Sequence, residues 1–163
     1  MTDPARLEIL KAEIEADLAA IEALEQQFGP RTPRLRAPDV RQEELVFAAY
    51  LLHNLYSACE SLLRRIAVAF ENALSPDAWH EQLLRRMTLH VPAVRPAVIN
   101  TGLQKQLDAL RRFRHFFRHS YAAKLEAAPI ALLAELSRDA LPAFRQAIAQ
   151  FLQVVDEMLR RSP

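Results

Sequence analysis

Apolar residues recur along this chain at spacings of three, four and seven, the signature of one buried face on each of several helices. Thr2-Asp3-Pro4 supplies a capping side chain followed by proline in the first turn. Leu7, Leu10, Ile14, Ile21, Leu24 and Phe28 then form a heptad-like seam interrupted by Asp17. Gly29-Pro30 ends this helix, and residues 29–39, with three prolines and three arginines, predict a loop. From about Arg41 to Leu74 there is neither Gly nor Pro, and Leu45, Ala48, Leu52, Leu55, Cys59, Leu62, Ile66, Ala69 and Phe70 give a wide apolar face. This predicts a central core helix about 50 Å long. Ser75-Pro76-Asp77 caps a shorter helix over about 76–89, and His90–Ile99, with two prolines, predicts a loop. Asn100-Thr101 starts a fourth helix whose core face is Leu103, Leu107, Leu110, Phe113 and Phe117. Pro129 breaks the chain again. The last helix runs over about 130–160, kinked or restarted at Pro142.

Composition agrees with this pattern. Half of the 163 residues are apolar, only Gly29 and Gly102 are glycine, and β-branched residues are sparse. The reading is an all-α antiparallel bundle of about five helices in one domain spanning 1–163. Residues 1–28 form an N-terminal helix, 29–40 a Pro/Arg-rich loop and 41–161 the core bundle. Lys and Arg number 21 against 20 Asp and Glu, so no global positive field recruits nucleic acid, and any such contact must be local. A single cysteine, Cys59, allows no internal disulfide and points to a reducing compartment. No signal segment opens the chain and no apolar run approaches bilayer length, which reads as a cytoplasmic protein without membrane contact.

One stretch stands apart. In Arg111–Tyr121 (RRFRHFFRHSY) six of eleven residues are Arg or His and three are Phe. In helical projection Arg111, Arg114 and Arg118 border the core face, while His115 and His119 lie one turn apart on the other side. The cations are therefore expected on display rather than packed inward. Two readings stand: cations complementing a solvated helix C-terminus, or an accessible site at a helix end. His115 and His119 have the spacing of a metal pair, but no acidic third ligand stands beside them. Asn54 and Glu60 interrupt a mostly apolar helix, where a buried polar group needs a partner. Glu60 either pairs with a motif arginine and orients it or lies on a partly exposed face. Cys59 reads as core, His53, His80 and His90 as surface or loop residues, and the arginines of 31–41 as solvated rather than as an extension of an RNA-binding surface. There is no glycine-rich phosphate loop.

Arg114-His115-Phe116-Phe117-Arg118-His119-Ser120-Tyr121 reads as Arg, four residues, His, one residue, Tyr. This resembles the signature of the HEPN superfamily, and specifically of the HepT-like ribonuclease toxins. The surrounding helix from Leu110, the segment Leu52–Glu60 and the Trp79-His80-x-x-Leu83-Leu84 segment with its Pro-rich sequel are similar too, so the likeness covers about residues 40–160. The resemblance implies a metal-independent endoribonuclease, without cofactor, in which the 2′-OH attacks the adjacent phosphate. It implies Arg114 and His119 as catalytic residues, with Arg111, Arg118 and His115 as further phosphate or RNA contacts. It implies a homodimer with a composite site. It also implies an MntA-like nucleotidyltransferase antitoxin that transfers AMP to Tyr121, which the residues alone read as a half-buried aromatic at a helix end. The non-enzymatic alternative is a HEPN-like bundle that binds a nucleotidyltransferase or a nucleotide without cutting RNA. The chemistry fits the residue types: imidazole exchanges protons near neutral pH, and guanidinium forks match phosphate oxygens. One geometric problem remains within a single chain, since residues five apart on an ideal helix are separated by about 140°.

Overall fold

The Asp3 carboxylate accepts the Ala5 N–H at 3.1 Å and opens helix α1, Pro4–Phe28. The structure, a computed structural model, describes residues 3–71, 79–119 and 124–161. Within them, α1 is followed by a 3-10 helix, Gly29–Arg36, then α2 (Gln42–Glu71), α3 (Trp79–Met87), α4 (Thr101–His119) and α5 (Ala127–Arg161). The expected cap at Ser75-Pro76-Asp77 lies outside the described residues. No described helix is long and apolar enough to cross a membrane.

The α1 seam is used inside the chain. Leu7, Leu10, Ile14, Ile21 and Phe28 are buried, and α1 packs chiefly on α2. Asp17, the polar interruption of the seam, meets Arg65 of α2 at 3.0 Å, and Glu13 reaches the same guanidinium at 2.9 Å. The polar break is thus a paired position on the same interface.

The expected loop after Phe28 is a 3-10 helix instead. Gly29 keeps right-handed helical angles (φ −49°, ψ −50°) and donates to the Glu25 carbonyl. Proline fixes φ near −65°, a value the 3-10 helix shares, so Pro30 and Pro33 extend the turn rather than ending it. Buried Leu35 pins the segment to the core. Two of its arginines are paired: Arg34 meets Asp39 and Glu44 at 2.7 and 2.8 Å, and Arg36, still exposed, forks Glu135 of α5 at 2.6 and 2.9 Å.

Helix α2, 30 residues and about 45 Å long, is the axis of the bundle. It touches every other helix, and Ala48, Leu52, Leu55, Tyr56, Leu62 and Ile66 are wholly buried. Helix α5 begins before Pro129, whose missing N–H would have no acceptor in the first turn. It continues through Pro142, where burial of Ala140, Leu141, Phe144 and Ile148 on both sides outweighs the lost hydrogen bond. Asn100 caps α4 by accepting the Leu103 N–H at 2.8 Å. The turn between α3 and α4 is organised by Arg95, 2 % exposed, which bonds Glu71 and the carbonyls of Arg86, Leu89 and Pro96. Contacts from Glu60 to Arg114 and from His53 to Phe117 run in opposite sequence directions, so α2 and α4 are antiparallel neighbours.

Hydrogen bonds from Arg34 and from the Arg41 N–H hold the Glu44 carboxyl well below the usual carboxylate range, at about 2. A depressed carboxyl pKa stabilises the fold fully above the ordinary value of 4.5 and loses that effect as pH falls towards 2. Glu44→Gln should therefore lower the urea midpoint at pH 7 and make it less sensitive to pH between 5 and 3 than in the wild type, as read by circular dichroism.

Candidate functional site

The apolar face of α4 turns Arg114 inward with it. Arg114 lies between Leu110 and Phe117 in the helical row that packs on α2, and only 8 % of its surface is exposed. A guanidinium cannot be buried alone, and Glu60 of α2, 4 % exposed, meets it with both carboxylate oxygens. Nη1 donates to Oε2, and Nη2 donates to Oε1 at 3.2 Å. The expectation that all three motif arginines are displayed is therefore corrected. Arg114 lies at the centre of the buried face, Arg111 is half-buried against Asp108 at 2.8 Å, and Arg118 is exposed.

Two more groups complete the cluster. The Tyr56 hydroxyl, one turn before Glu60, donates to Oε1 at 3.2 Å, and the Arg114 guanidinium sits 5.0 Å from the Tyr56 ring centroid. Burial, and then the Glu60 charge, push the Tyr56 phenol far above its ordinary value, so it stays protonated and keeps its hydrogen for Glu60. His80 of α3 brings Nδ1 to 2.8 Å from Glu60 Oε1 and 3.2 Å from Arg114 Nη2. One nitrogen cannot donate and accept at once. The shorter contact, to a carboxylate that only accepts, assigns the hydrogen to Nδ1. One carboxylate thus gathers a guanidinium, a phenol and an imidazole, and three helices meet on it.

His80, expected among surface or loop residues, has a side chain 43 % exposed and is also a member of this cluster. His53 departs from that expectation. It lies half-buried on α2, its ring 5.9 Å from that of Phe117, and its Nδ1 is buried with no hydrogen-bond partner. Desolvation, then the Arg114 and Arg118 charges, push its imidazole below the ordinary value. Asn54 is half-buried beside it on α2. Cys59 is buried and burial pushes its thiol up to about 12, which makes it a core residue.

The other side of α4 faces solvent. His115 and His119 are exposed, their rings 4.5 Å apart. His119 Nδ1 lies 2.7 Å from the His115 carbonyl oxygen. A carbonyl only accepts, so Nδ1 carries the hydrogen, and the neutral ring presents the Nε2 lone pair outward. Arg114 and His119 are therefore on opposite sides of the helix in one chain, as their five-residue separation requires. Tyr121, like Ser120, lies outside the described residues. Among the described residues no three His, Cys, Asp or Glu side chains gather as metal ligands.

The signals that foreshadow the cluster are unequal. Glu60 in a core register announces that a partner must exist. Nothing local announces His80, which α3 delivers from 20 residues downstream.

Removing one partner from a buried ion pair leaves the other charge uncompensated, at a cost of roughly 3–5 kcal/mol. Glu60→Ala should show that loss in urea unfolding, and adding Arg114→Met should restore part of it. Additive losses would mean that the two side chains are not coupled.

A family model described as HepT-like protein matches residues 47–155, which hold Glu60, His80 and the entire Arg111–Tyr121 stretch. No curated protein and no solved structure matches the chain.

Proposed function

The chain belongs to the HepT-like family, and from that premise we propose that it is a toxin-type endoribonuclease that cuts RNA without a metal. The observation that carries the reading is His119. Its Nδ1 is fixed by the His115 carbonyl, and its Nε2 faces solvent at the end of the motif helix. That is the arrangement a proton-transfer imidazole needs: one nitrogen oriented, the other free.

In this mechanism the RNA 2′-oxygen attacks the adjacent phosphorus and the bond from phosphorus to the 5′-oxygen breaks. The products are a 2′,3′-cyclic phosphate and a 5′-hydroxyl. His119 Nε2 accepts the proton from the 2′-OH and returns it to the departing 5′-oxygen. Arg118 and His115, exposed on the same helix end, and Arg111 on its flank supply the outer phosphate contacts. Arg114 supplies the inner one. Glu60 neutralises it in the resting chain, so it reaches a phosphate by giving up one of its two Glu60 bonds while the other holds the rest of the fork. Substrates without a 2′-OH are not cut. A homodimer with two motif helix ends along one cleft would line it with the exposed His115, Arg118 and His119 of both copies, while each Arg114 stays on the α2 side of its own helix.

Regulation follows from Tyr121, two residues beyond His119. An MntA-like nucleotidyltransferase that transfers AMP to it would place a bulky anion beside Arg118 and His119 and occupy the phosphate site by charge and volume. The locked Glu60–Arg114 pair favours the second reading, a non-catalytic bundle that binds a nucleotidyltransferase partner or a nucleotide.

His119→Ala should abolish both growth arrest and RNA cleavage while leaving thermal stability unchanged, because its side chain is exposed; full cleavage by this variant would sink the ribonuclease reading. Intact-mass and peptide analysis after co-expression with a nucleotidyltransferase encoded next to this chain should find added AMP on Tyr121. An unmodified chain held in a tight complex would support the second reading.

A further inference from the structure

Helix α2 leaves a side uncovered in its N-terminal half. Phe47 and Tyr50 are 40 % and 50 % exposed, with ring centroids 6.3 Å apart and planes inclined by 26°. Three residues on is His53, the half-buried histidine with an orphan Nδ1. The steps from 47 to 50 to 53 follow one ridge of the helix, each advancing about 4.5 Å along its axis. Cations stand at both ends. The Arg31 guanidinium lies 4.9 Å from the Phe47 ring centroid. At the other end, Arg114 and Arg118 lie near enough to act on His53, whose ring packs on Phe117 of the motif helix. Exposed Glu43 stands at the Arg31 end of this ridge, and no acidic residue lies between Phe47 and His53. Glu44 is held by Arg34, and Glu43, one turn before Phe47, lies 3.8 Å from Arg41.

We infer that this ridge is a track for single-stranded RNA leading to the motif helix: Phe47 and Tyr50 are stacking faces for nucleobases, and Arg31, His53 and Arg118 contact the phosphates between them. The inference rests on the ribonuclease reading for the class of ligand. Exposed aromatic rings interleaved with cations are the arrangement that single strands use, because every base has a stacking face and every linkage a charge. An apolar partner would not explain cations at both ends, and a duplex would keep its bases inside. His53 has a defined part in it. A buried N–H without an acceptor costs more than a buried lone pair, so Nδ1 is bare and Nε2, on the solvent side of the ring, carries the hydrogen. His53 thereby offers a neutral N–H to a phosphate oxygen. It is a binding residue, distinct from the proton-transferring His119.

The test uses the full chain carrying His119→Ala, so that RNA stays intact, and a fluorescein-labelled single-stranded oligouridylate read by anisotropy. Tyr50→Ala and Phe47→Ala should each weaken binding about tenfold, the size of one lost base stack, while Tyr50→Phe binds like the parent. His53→Ala should weaken binding, and His53→Gln, which keeps a neutral N–H near the place of Nε2, should restore it. In the active chain the same substitutions should raise KM and leave kcat unchanged. Sedimentation velocity accompanies each variant. The inference is overturned if Tyr50→Ala, Phe47→Ala and His53→Ala bind as the parent does, or if binding falls only where self-association is lost, which would assign the ridge to a second copy. Wild-type chain that binds through these residues but leaves RNA uncut would end the ribonuclease reading and keep the track. Wild-type chain that cuts RNA regardless of them would do the reverse.

Discussion

Burying a guanidinium on the axis of a helical bundle is the constraint around which this molecule is organised. Arg114 sits in the core register of α4 because the residues on either side of it in that row, Leu110 and Phe117, must pack on α2. Once inside, it demands an anion, and Glu60 is the acidic side chain that α2 provides at that level. Glu60 then has lone pairs to spare, which Tyr56 and His80 fill. The chain of requirements sets the antiparallel pairing of α2 and α4 and the docking of α3. Replacing such a cluster with apolar side chains would be expected to stabilise a bundle of this size.

Helix α4 separates two jobs by face. Inward, Arg114 is held by Glu60 and Tyr56 of α2, with His80 of α3 bonded to the same carboxylate. Outward, His119 is held through one nitrogen and free through the other. Within one chain the two side chains therefore lie on opposite sides of α4.

The helices were legible because an amphipathic period is a local property that survives without its neighbours. The core lists of α1, α2 and α4 needed only spacing, and the inference that Glu60 requires a partner needed only its register. Errors gathered where local rules have two solutions. Prolines 30 and 33 end an α-helix but suit a 3-10 turn, and buried Leu35 decided between them. Pro129 suggests a break yet falls where no donor is needed, and Pro142, where the pattern offers a kink or a restart, lies inside one α5 that packs on both sides of it. Arg114 was placed with the displayed cations because projection assigns a border residue to the wet side, whereas an available carboxylate draws it in.

The sequence by itself determined the helical class, the order of the helices, the apolar faces and the Arg-x4-His-x-Tyr signature, since each depends on residues within a few turns of one another. Tertiary structure alone decided that Arg114 is buried and paired, that His80 joins Glu60 from another helix, that Arg95 anchors the turn after α3, and that His53 meets the motif helix with an unpartnered nitrogen. These depend on which side chains arrive at the same place from distant parts of the chain. Charge pairing and burial are set by that arrival, and periodicity carries no record of it.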